Sequence, residues 1–327
     1  MQESKKMDAH KAMNAEMQKL FKATALIDVI GKSKKLITLK PSTPCSVVIK
    51  TLWSNKIRSV ILAEPKDNLH MDKISFVDYI DIVSYLLSKV VKDGKFVNAS
   101  FSDKKVSDSF FKTAAKDIAN HSQRLKFGRV KISDNLFDGA MQLVKGSKRV
   151  AVVDDKDHLV NILTHTDCIG FLQKHAAEQK PKSFKNTIAK LHLGSQVISV
   201  SEDVNTVQSL LLMHNYKFSA LPIIADDGFI VSVLSCRDIK VLLADDKLSL
   251  QALAIPALDF VKIARKVAMS SSTKAQYPFF WCKTDSTVEL VINRIAATHV
   301  HRLVIVNEKK EALGVVSASD LLAYLLA

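Results

Sequence analysis

The sequence contains little glycine and proline, with 9 glycines and 7 prolines among 327 residues. This low content argues against an all-β fold whose strands are joined by many tight turns. No run of about 18 uncharged apolar residues occurs, so we expect no transmembrane helix. The first 21 residues contain several lysines but no apolar core long enough for a signal peptide.

Cysteine is also scarce, and none of the four cysteines forms a C-x-x-C pair: Cys45, Cys168, Cys236 and Cys282. This spacing excludes a zinc knuckle or a dithiol redox motif and gives little support to a disulfide framework. We therefore expect reduced thiols in an intracellular compartment and no bound metal. No Walker loop, nucleophile elbow or kinase signature is present, so we expect no catalysis.

Basic residues outnumber acidic ones, and the formal net charge is +14. Such a balance suits nucleic acid, an acidic membrane surface or a phosphate-bearing ligand. The lysines are not interleaved with aromatic residues, so no RNA-binding signature appears. A solvated lysine-rich surface is the favoured interpretation, and we expect neither a nucleic-acid nor a membrane partner. The hydrophobic content of 47% indicates a globular chain, long enough for two domains or a set of repeats.

One pattern occurs four times: an apolar β-rich run, a Ser or Thr, two spacers, an Asp and an apolar helix. The clear copies end in Thr164-x-x-Asp167, Ser235-x-x-Asp238 and Ser317-x-x-Asp320. In the first copy we align Asp81 with the Ser/Thr position and Ser84 with the Asp position. Each copy predicts a helix–strand–turn–strand–helix unit of mixed α/β type.

The spacing of the copies suggests a duplicated pair, because Ser84 and Asp238 lie 154 residues apart and Asp167 and Asp320 lie 153 apart. We therefore expect a first pair of repeats over 22–175, a polar linker over 176–184 and a second pair over 185–327. Residues 1–21 are expected to form a basic tail. Met7, Met13, Met17, Leu20 and Phe21 lie at a loosely helical spacing there, which would suit a partner helix, but a frayed tail is favoured.

The motif has two interpretations. At a strand-to-helix junction, free N–H groups and a partial positive charge accompany the hydroxyl, and the Asp one turn later can accept two hydrogen bonds, as from the 2′- and 3′-hydroxyls of a ribose. A capping box has the same spacing and needs no ligand. Three copies in register favour the ligand site.

Basic residues also recur where the central strand of a repeat begins, at Arg58, Arg149 and Arg302. Arginine can contact phosphate oxygens in a bidentate manner, so several such residues would suit a polyanion. The alternative is a set of surface charges at strand starts.

The repeats resemble cystathionine-β-synthase (CBS) domains, and the set of four resembles the γ subunit of AMP-activated protein kinase. The resemblance covers about residues 22–326 and is carried by four segments: VINRIAATHVHRLVIV (291–306), FSALPIIADDG (218–228), SDNLFDGA (133–140) and NILTHTD (161–167). It implies two paired CBS modules that form a disc and bind adenine nucleotides in the clefts between paired repeats. It also implies a cytoplasmic location, with the nucleus as a second one.

Residue by residue, the resemblance implies ribose contacts from the aspartates, partner hydroxyls from the motif loops, phosphate contacts at strand starts and contacts near the base. The implied nucleotide-binding residues are Arg58, Val130, Lys148, Arg149, Thr164, Thr166, Asp167, Ser219, Ala220, Ser235, Asp238, His301, Arg302, Ser317, Ser319 and Asp320. Three of the positions depart from the family: Lys148 replaces a histidine, and Thr166 and Cys236 each replace a lysine. Asp167 stands where animal members have no aspartate, so we expect a competent second site.

The function implied is that of a non-catalytic regulatory subunit, with AMP, ADP or ATP as regulatory ligands rather than cofactors. Its partners would be a kinase catalytic α subunit and a β scaffold subunit. Two alternatives remain open: a free-standing CBS-domain protein that binds another adenosyl ligand or acts as a scaffold, and a nucleic-acid-binding protein that uses its lysine-rich surface.

Overall fold

The computed structural model describes most of the chain, and four three-stranded sheets organise it, one in each predicted repeat. The predicted mixed α/β fold of four repeats is confirmed. The described residues are 14–31, 36–92, 95–96, 104–124, 127–179, 181–191, 197–243, 250–270 and 279–327.

Twelve helices lie in these ranges, and several shorter 3₁₀ turns join them. They are α1 (14–23), α2 (Leu26–Ile30), α3 (Cys45–Ser54), α4 (Tyr79–Val90), α5 (Lys104–Lys112), α6 (Ala115–Ile118), α7 (Leu136–Val144), α8 (His165–Gln179), α9 (Thr206–Asn215), α10 (Ala257–Ser270), α11 (Val288–Thr298) and α12 (Ala318–Leu326). In the third repeat, a 3₁₀ helix over Cys236–Leu243 takes the place of the helix that follows the last strand.

The strands of the four sheets follow the same order in each repeat, and a short hairpin lies outside them. They are β1 (Thr38–Leu39), β2 (Ser59–Leu62), β3 (Ser75–Asp78), the hairpin β4 (Val91–Lys92) and β5 (Lys95–Phe96), β6 (Phe127–Lys131), β7 (Arg149–Val153), β8 (Leu159–Leu163), β9 (Val200–Ser201), β10 (Ala220–Ile224), β11 (Ile230–Ser235), β12 (Trp281–Lys283), β13 (Arg302–Val306) and β14 (Ala312–Ser317).

Within each sheet the central strand pairs in parallel with the first strand and antiparallel with the last. A helix makes the crossover between the two parallel strands, as such a connection requires. A polar turn makes the second connection, such as Asp226–Gly228 between β10 and β11, where Gly228 has a φ of +84° that glycine adopts without strain. The last strand therefore ends where the next helix begins, which places the Ser/Thr-x-x-Asp motif at that junction.

The helix that completes each repeat comes from a segment outside the repeat's own strands. Isolated antiparallel bridges mark these contacts: Ala25 with Asn135, Pro44 with Ala114, Thr187 with Thr287 and Asn205 with Pro256. The first two bridges show that the segment 14–31 packs on the second repeat and that α6 packs on the first.

The chain forms two compact units, and each unit contains two repeats that are not consecutive. Unit 1 comprises 1–36, 125–197 and 280–327, and unit 2 comprises 37–124 and 198–279. This division differs from the expected boundaries, which separate 22–175 from 185–327. The physical reason is helix packing: α11 packs on α8 in unit 1, and α9 packs on α4 in unit 2.

The segment expected to be a frayed tail is partly core. Residues 14–23 are helical, and both Met17 and Phe21 are fully buried in the core of unit 1. Phe21 meets Phe171 edge to face, with 5.2 Å between the ring centroids. The expectation for residues 1–13 lies outside the described residues.

The expected linker over 176–184 is also structured where it is described. Its last residue, Phe184, is fully buried, and Ser183 is buried beside it. Just beyond it, the amide of Ile188 donates to the carbonyl of Ser286 over 2.9 Å, and the amide of Val288 donates to that of Asn186 over 2.8 Å. The polar composition of this stretch reflects its exposed lysines and not a lack of packing. Residue 180 lies outside the described residues.

All four cysteines are buried and free of disulfides. Burial raises the pKa of Cys45 and of Cys282 to about 12 and raises that of Cys168 further, so the thiols stay protonated. In the described part of the chain, no helix combines the length and the hydropathy needed to cross a bilayer.

Because Phe21 fills the core of unit 1, Phe21→Ala is expected to lower the free energy of unfolding by about 3–5 kcal/mol. Lys19→Ala, at an exposed position of the same helix, is the matched control and should change it by less than about 0.5 kcal/mol. Urea unfolding followed by circular dichroism measures both. Equal stabilities of the two variants would show that the helix over 14–23 does not pack on the core.

Candidate functional site

Three of the four strand-to-helix junctions have the same hydrogen-bonded geometry. One carboxylate oxygen, Oδ2, of the motif aspartate accepts from the backbone amide of the Ser or Thr three residues earlier, at 2.8 Å for Asp167, 2.7 Å for Asp238 and 2.8 Å for Asp320. The same oxygen accepts from the side-chain hydroxyl, at 2.6, 3.1 and 2.6 Å in the same order. The capping interpretation is therefore correct for the Oδ2 oxygens.

The second oxygen, Oδ1, is the part of the carboxylate that a ligand could use. Within the described ranges, no hydrogen-bond donor reaches Oδ1 of Asp238 or Asp320. All three aspartates are half-buried. A capped carboxylate is held in one orientation at the helix start, so its other oxygen is preorganised to accept from a diol. The capping role and the ligand role are compatible.

In the first repeat the motif lies three residues earlier than the sequence alignment placed it. Asp78 is opposite Ser59 in the sheet, as Ser235 is opposite Ala220 and Ser317 is opposite Arg302. Asp78 therefore occupies the Ser/Thr position and Asp81 the Asp position, and the expected alignment of Asp81 and Ser84 was wrong.

The hydrogen bonds agree with this register. Asp78 caps α4 by accepting from the amides of Ile80 over 2.7 Å and Asp81 over 3.0 Å, and Asp81 Oδ2 accepts from the amide of Asp78 over 3.2 Å. An Asp caps a helix as well as Ser or Thr does, and the Asp78-x-x-Asp81 spacing was visible in the sequence. Ser84 is buried one turn further on, with its hydroxyl 3.0 Å from His121 Nδ1.

Strand register also fixes the basic residues at the strand starts. Arg302 lies opposite Ser317, and the pairing of Val150 with Leu163 places Arg149 beside Thr164 in the same way. Arg58 lies one residue earlier, at the position of Lys148, Ser219 and His301. Arg149 is buried, whereas Lys148 is exposed and the other members of this set are half-buried.

The two units divide the predicted site residues between them. Unit 2 holds Arg58, Ser219, Ala220, Ser235 and Asp238. Unit 1 holds Val130, Lys148, Arg149, Thr164, Thr166, Asp167, His301, Arg302, Ser317, Ser319 and Asp320. Val130 is buried in β6, and Thr166 is exposed. The ligand contacts assigned to these residues stay predictions.

In unit 1 the motif loops of the second and fourth repeats meet directly. The hydroxyl of Ser319 lies 2.9 Å from Nε2 of His165, which is buried. Each residue lies inside its motif, between the hydroxyl residue and the aspartate. The contact brings the starts of α8 and α12 together, so two helix N-termini and their partial positive charges lie at one place.

In unit 2 the corresponding neighbours are Tyr79 of the first repeat and Arg237 and Asp238 of the third. Burial, the largest cause, raises the pKa of Tyr79 to about 12, while the charges of Arg237 and Arg58 oppose the shift and that of Asp238 adds to it. Tyr79 therefore stays a neutral phenol between charged groups.

Several cations surround Asp238, and the sequence reasoning missed most of them. Burial lowers the pKa of Lys240 and of Arg265, and the charge of Asp238 acts in the opposite direction on both. Arg265 reaches β11, with Nη2 3.4 Å from the Ser232 hydroxyl. Arg237 and Lys240 stand inside the motif itself, at SCRDIK, which was the available signal; Arg265 on α10 left none.

The comparisons with known proteins follow from this geometry. A family model described as "CBS domain" matches residues 192–245 and 269–327, which contain the third and fourth repeats. The chain is 27% identical over 91% of its length to a 5′-AMP-activated protein kinase subunit gamma of Dictyostelium discoideum, and covers 51% of that protein. It is 25% identical to the gamma-3 subunit of Bos taurus over 91% of its length and 57% of that protein's.

A third relative, Protein SDS23 of Candida albicans, is 23% identical over 89% of the chain and 49% of its own length. The chain thus spans about half the length of the curated relatives it matches. Among solved structures, a Methanocaldococcus jannaschii protein described as a proposed archaeal homologue of γ-AMPK superposes with a TM-score of 0.72, at 15% identity, over 92% of this chain and 99% of that one. An uncharacterised Pyrococcus horikoshii protein superposes with a TM-score of 0.53 at 19% identity and with the same coverage. These likenesses establish the fold.

The buried pair Asp78 and Asp81 should make stability depend on pH. Burial, helped by the charge of Asp78, raises the pKa of Asp81 from 3.8 to about 6. The folded state then binds this proton more tightly than the unfolded state, so the stabilisation is present below about pH 4 and is lost as pH rises to about 6. Asp81→Asn is expected to flatten this fall.

Urea unfolding of the wild type and of Asp81→Asn at pH 4, 5, 6 and 7 measures the effect. Asp155→Asn, at an exposed carboxylate, controls for the loss of one negative charge. Parallel pH profiles for the wild type and Asp81→Asn would contradict the raised pKa.

Proposed function

Because this chain is a CBS-domain protein that resembles the γ subunits of AMP-activated protein kinase, we propose that it binds adenine nucleotides and is a non-catalytic regulatory subunit of a protein kinase. The observation that carries the proposal is the repeated aspartate geometry. Three carboxylates are fixed by their own capping hydrogen bonds, and Asp238 and Asp320 keep Oδ1 for a ligand within the described ranges.

The chemistry of a nucleotide suits both parts of this arrangement. A ribose offers two neighbouring hydroxyl donors, and a carboxylate oxygen at a helix start accepts them. Phosphates are anions, and they would be stabilised by helix N-termini and by half-buried cations such as Arg237, Lys240 and Arg265. Each cation pays a desolvation cost, which lowers the pKa of Lys240 and Arg265, and a bound anion would offset it.

Regulation would follow from the number of phosphates. AMP, ADP and ATP share the adenosine part but differ in charge, so they differ in how strongly they interact with the cations. A ligand shifts an equilibrium only by its differential affinity for the two states. The partners we propose are a catalytic α subunit and a β scaffold subunit, in the cytoplasm and also in the nucleus.

The second candidate is a free-standing CBS-domain protein that binds another adenosyl ligand, such as S-adenosylmethionine, or acts as a scaffold. The match to Protein SDS23 favours keeping it, because its identity is close to that of the gamma subunits and its name mentions no kinase.

Nucleotide binding is tested by thermal unfolding of the whole chain with AMP, ADP, ATP and S-adenosylmethionine, each alone. A nucleotide at about 100 times its dissociation constant should add ~2.7 kcal/mol to the free energy of unfolding. Asp238→Asn and Asp320→Asn should each reduce this gain, because each weakens one acceptor of the ribose hydroxyls. Asp155→Asn is the control and should keep it. A response to S-adenosylmethionine alone would favour the second candidate, and no response to any of them would refute both binding proposals.

Membership of a kinase complex is tested by purifying the tagged chain from its own cells. We expect a protein kinase catalytic chain and a scaffold chain in about equal amounts with it, and kinase activity that changes when AMP is replaced by ATP. Recovery of the chain without a kinase, from cells in which it binds nucleotide, would reject the regulatory-subunit proposal and retain the nucleotide-binding one.

A further inference from the structure

The motif aspartate of the first repeat differs from the other three in that neither of its oxygens is available. Asp81 is fully buried, whereas Asp167, Asp238 and Asp320 are half-buried. Its Oδ2 is used in the capping box, as in the other repeats. Its Oδ1 accepts two hydrogen bonds from one residue, Ser122: from the amide over 3.1 Å and from the hydroxyl over 2.6 Å.

Ser122 supplies what a ribose would supply. A vicinal diol offers a carboxylate two neighbouring donors, and Ser122 offers Asp81 Oδ1 an N–H and an O–H. The hydroxyl is also oriented, because it accepts from the amide of Arg124 over 3.3 Å while it donates to Asp81. A ligand hydroxyl would have to displace both donors to reach this oxygen.

The segment that carries Ser122 is anchored on both sides. His121 Nδ1 lies 3.0 Å from the Ser84 hydroxyl on α4. Arg124 donates to three carbonyl groups at the C-terminal end of α9 and just beyond it: Met213 over 2.9 Å, Phe218 over 3.0 Å and His214. Hydrogen bonds from a charged donor are stronger than neutral ones, and a helix C-terminus favours a cation. Displacing Ser122 would therefore also disturb the contacts of its neighbours.

Local charge acts against an anionic ligand in the same place. The position that carries Thr164, Ser235 or Ser317 in the other repeats carries Asp78 here, and Asp78 is buried beside Asp81. Like charges at short distance in a poorly solvated site raise the energy of any further anion.

We infer that Ser122 occupies the ribose position of the first repeat, so that Asp81 takes no part in ligand binding and only three of the four motif aspartates serve nucleotides. This inference rests on the proposed function, since it concerns the number of its sites. Ser122 is the residue that determines the occupancy of the first repeat.

Equilibrium dialysis of the whole chain against AMP tests the inference through matched variants. Asp238→Asn is expected to remove one bound AMP or to weaken one site about tenfold or more, because it weakens an acceptor for the ribose. Asp81→Asn is expected to leave the number of bound AMP molecules unchanged and each affinity within about twofold. A loss on Asp81→Asn equal to that on Asp238→Asn would overturn the inference. If neither the wild type nor any variant binds AMP, the proposed function fails.

Hydrogen exchange on the wild-type chain gives a second readout that does not depend on the folding of a variant. Saturating AMP should leave the protection of the Ser122 amide unchanged, because Asp81 remains its acceptor. Faster exchange at Ser122 on addition of AMP would show that the nucleotide takes Asp81 and would overturn the inference. The same measurement on Ser122→Ala should show a loss of protection at the Arg124 amide, whose acceptor is the removed hydroxyl.

Discussion

A three-stranded sheet with its helices is too small to enclose a core, and the rest of the architecture depends on this constraint. Each repeat buries its helices against another repeat and against a segment from elsewhere in the chain. In unit 1, Phe21 from α1 meets Phe171 from α8, although 150 residues separate them in the chain. In unit 2, the elements that follow the last strands of the first and third repeats pack together. The helix starts are thereby brought into contact, and the chemistry of the motif loops follows from that packing.

The motif aspartate combines a structural role with a chemical one because its two oxygens can act separately. One oxygen closes the capping box and fixes the carboxylate, and the other is left to neighbours. In the fourth repeat that neighbour would be a ligand of Asp320, and in the first it is the chain itself, through Ser122. The same fold can thus keep or remove a binding group without changing the carboxylate, by changing only what lies opposite it.

The parts of the fold that rest on local patterns could be predicted from the sequence, and those that rest on distant contacts could not. The strand–turn–strand–helix order and the loops at Asp167, Asp238 and Asp320 follow from apolar periodicity and from capping residues. The first motif was misaligned because a search for Ser or Thr overlooks Asp78, which caps α4 with a carboxylate. The core role of Phe21 and the contacts of Arg124 left no local signal, since their partners lie more than 80 residues away.

The interleaving of the two units along the chain has a consequence for how the protein forms. Unit 2 is interrupted by 125–197 and unit 1 by 37–124 and 198–279, so neither unit is a continuous stretch. Native contacts between such distant residues must close long loops before burial compensates for the lost chain entropy, which makes folding slow. A ribosome would release the first repeat well before its partner repeat exists. During that interval the apolar faces of α3 and α4 have no native partner from the third repeat, and a chaperone would have to shield them.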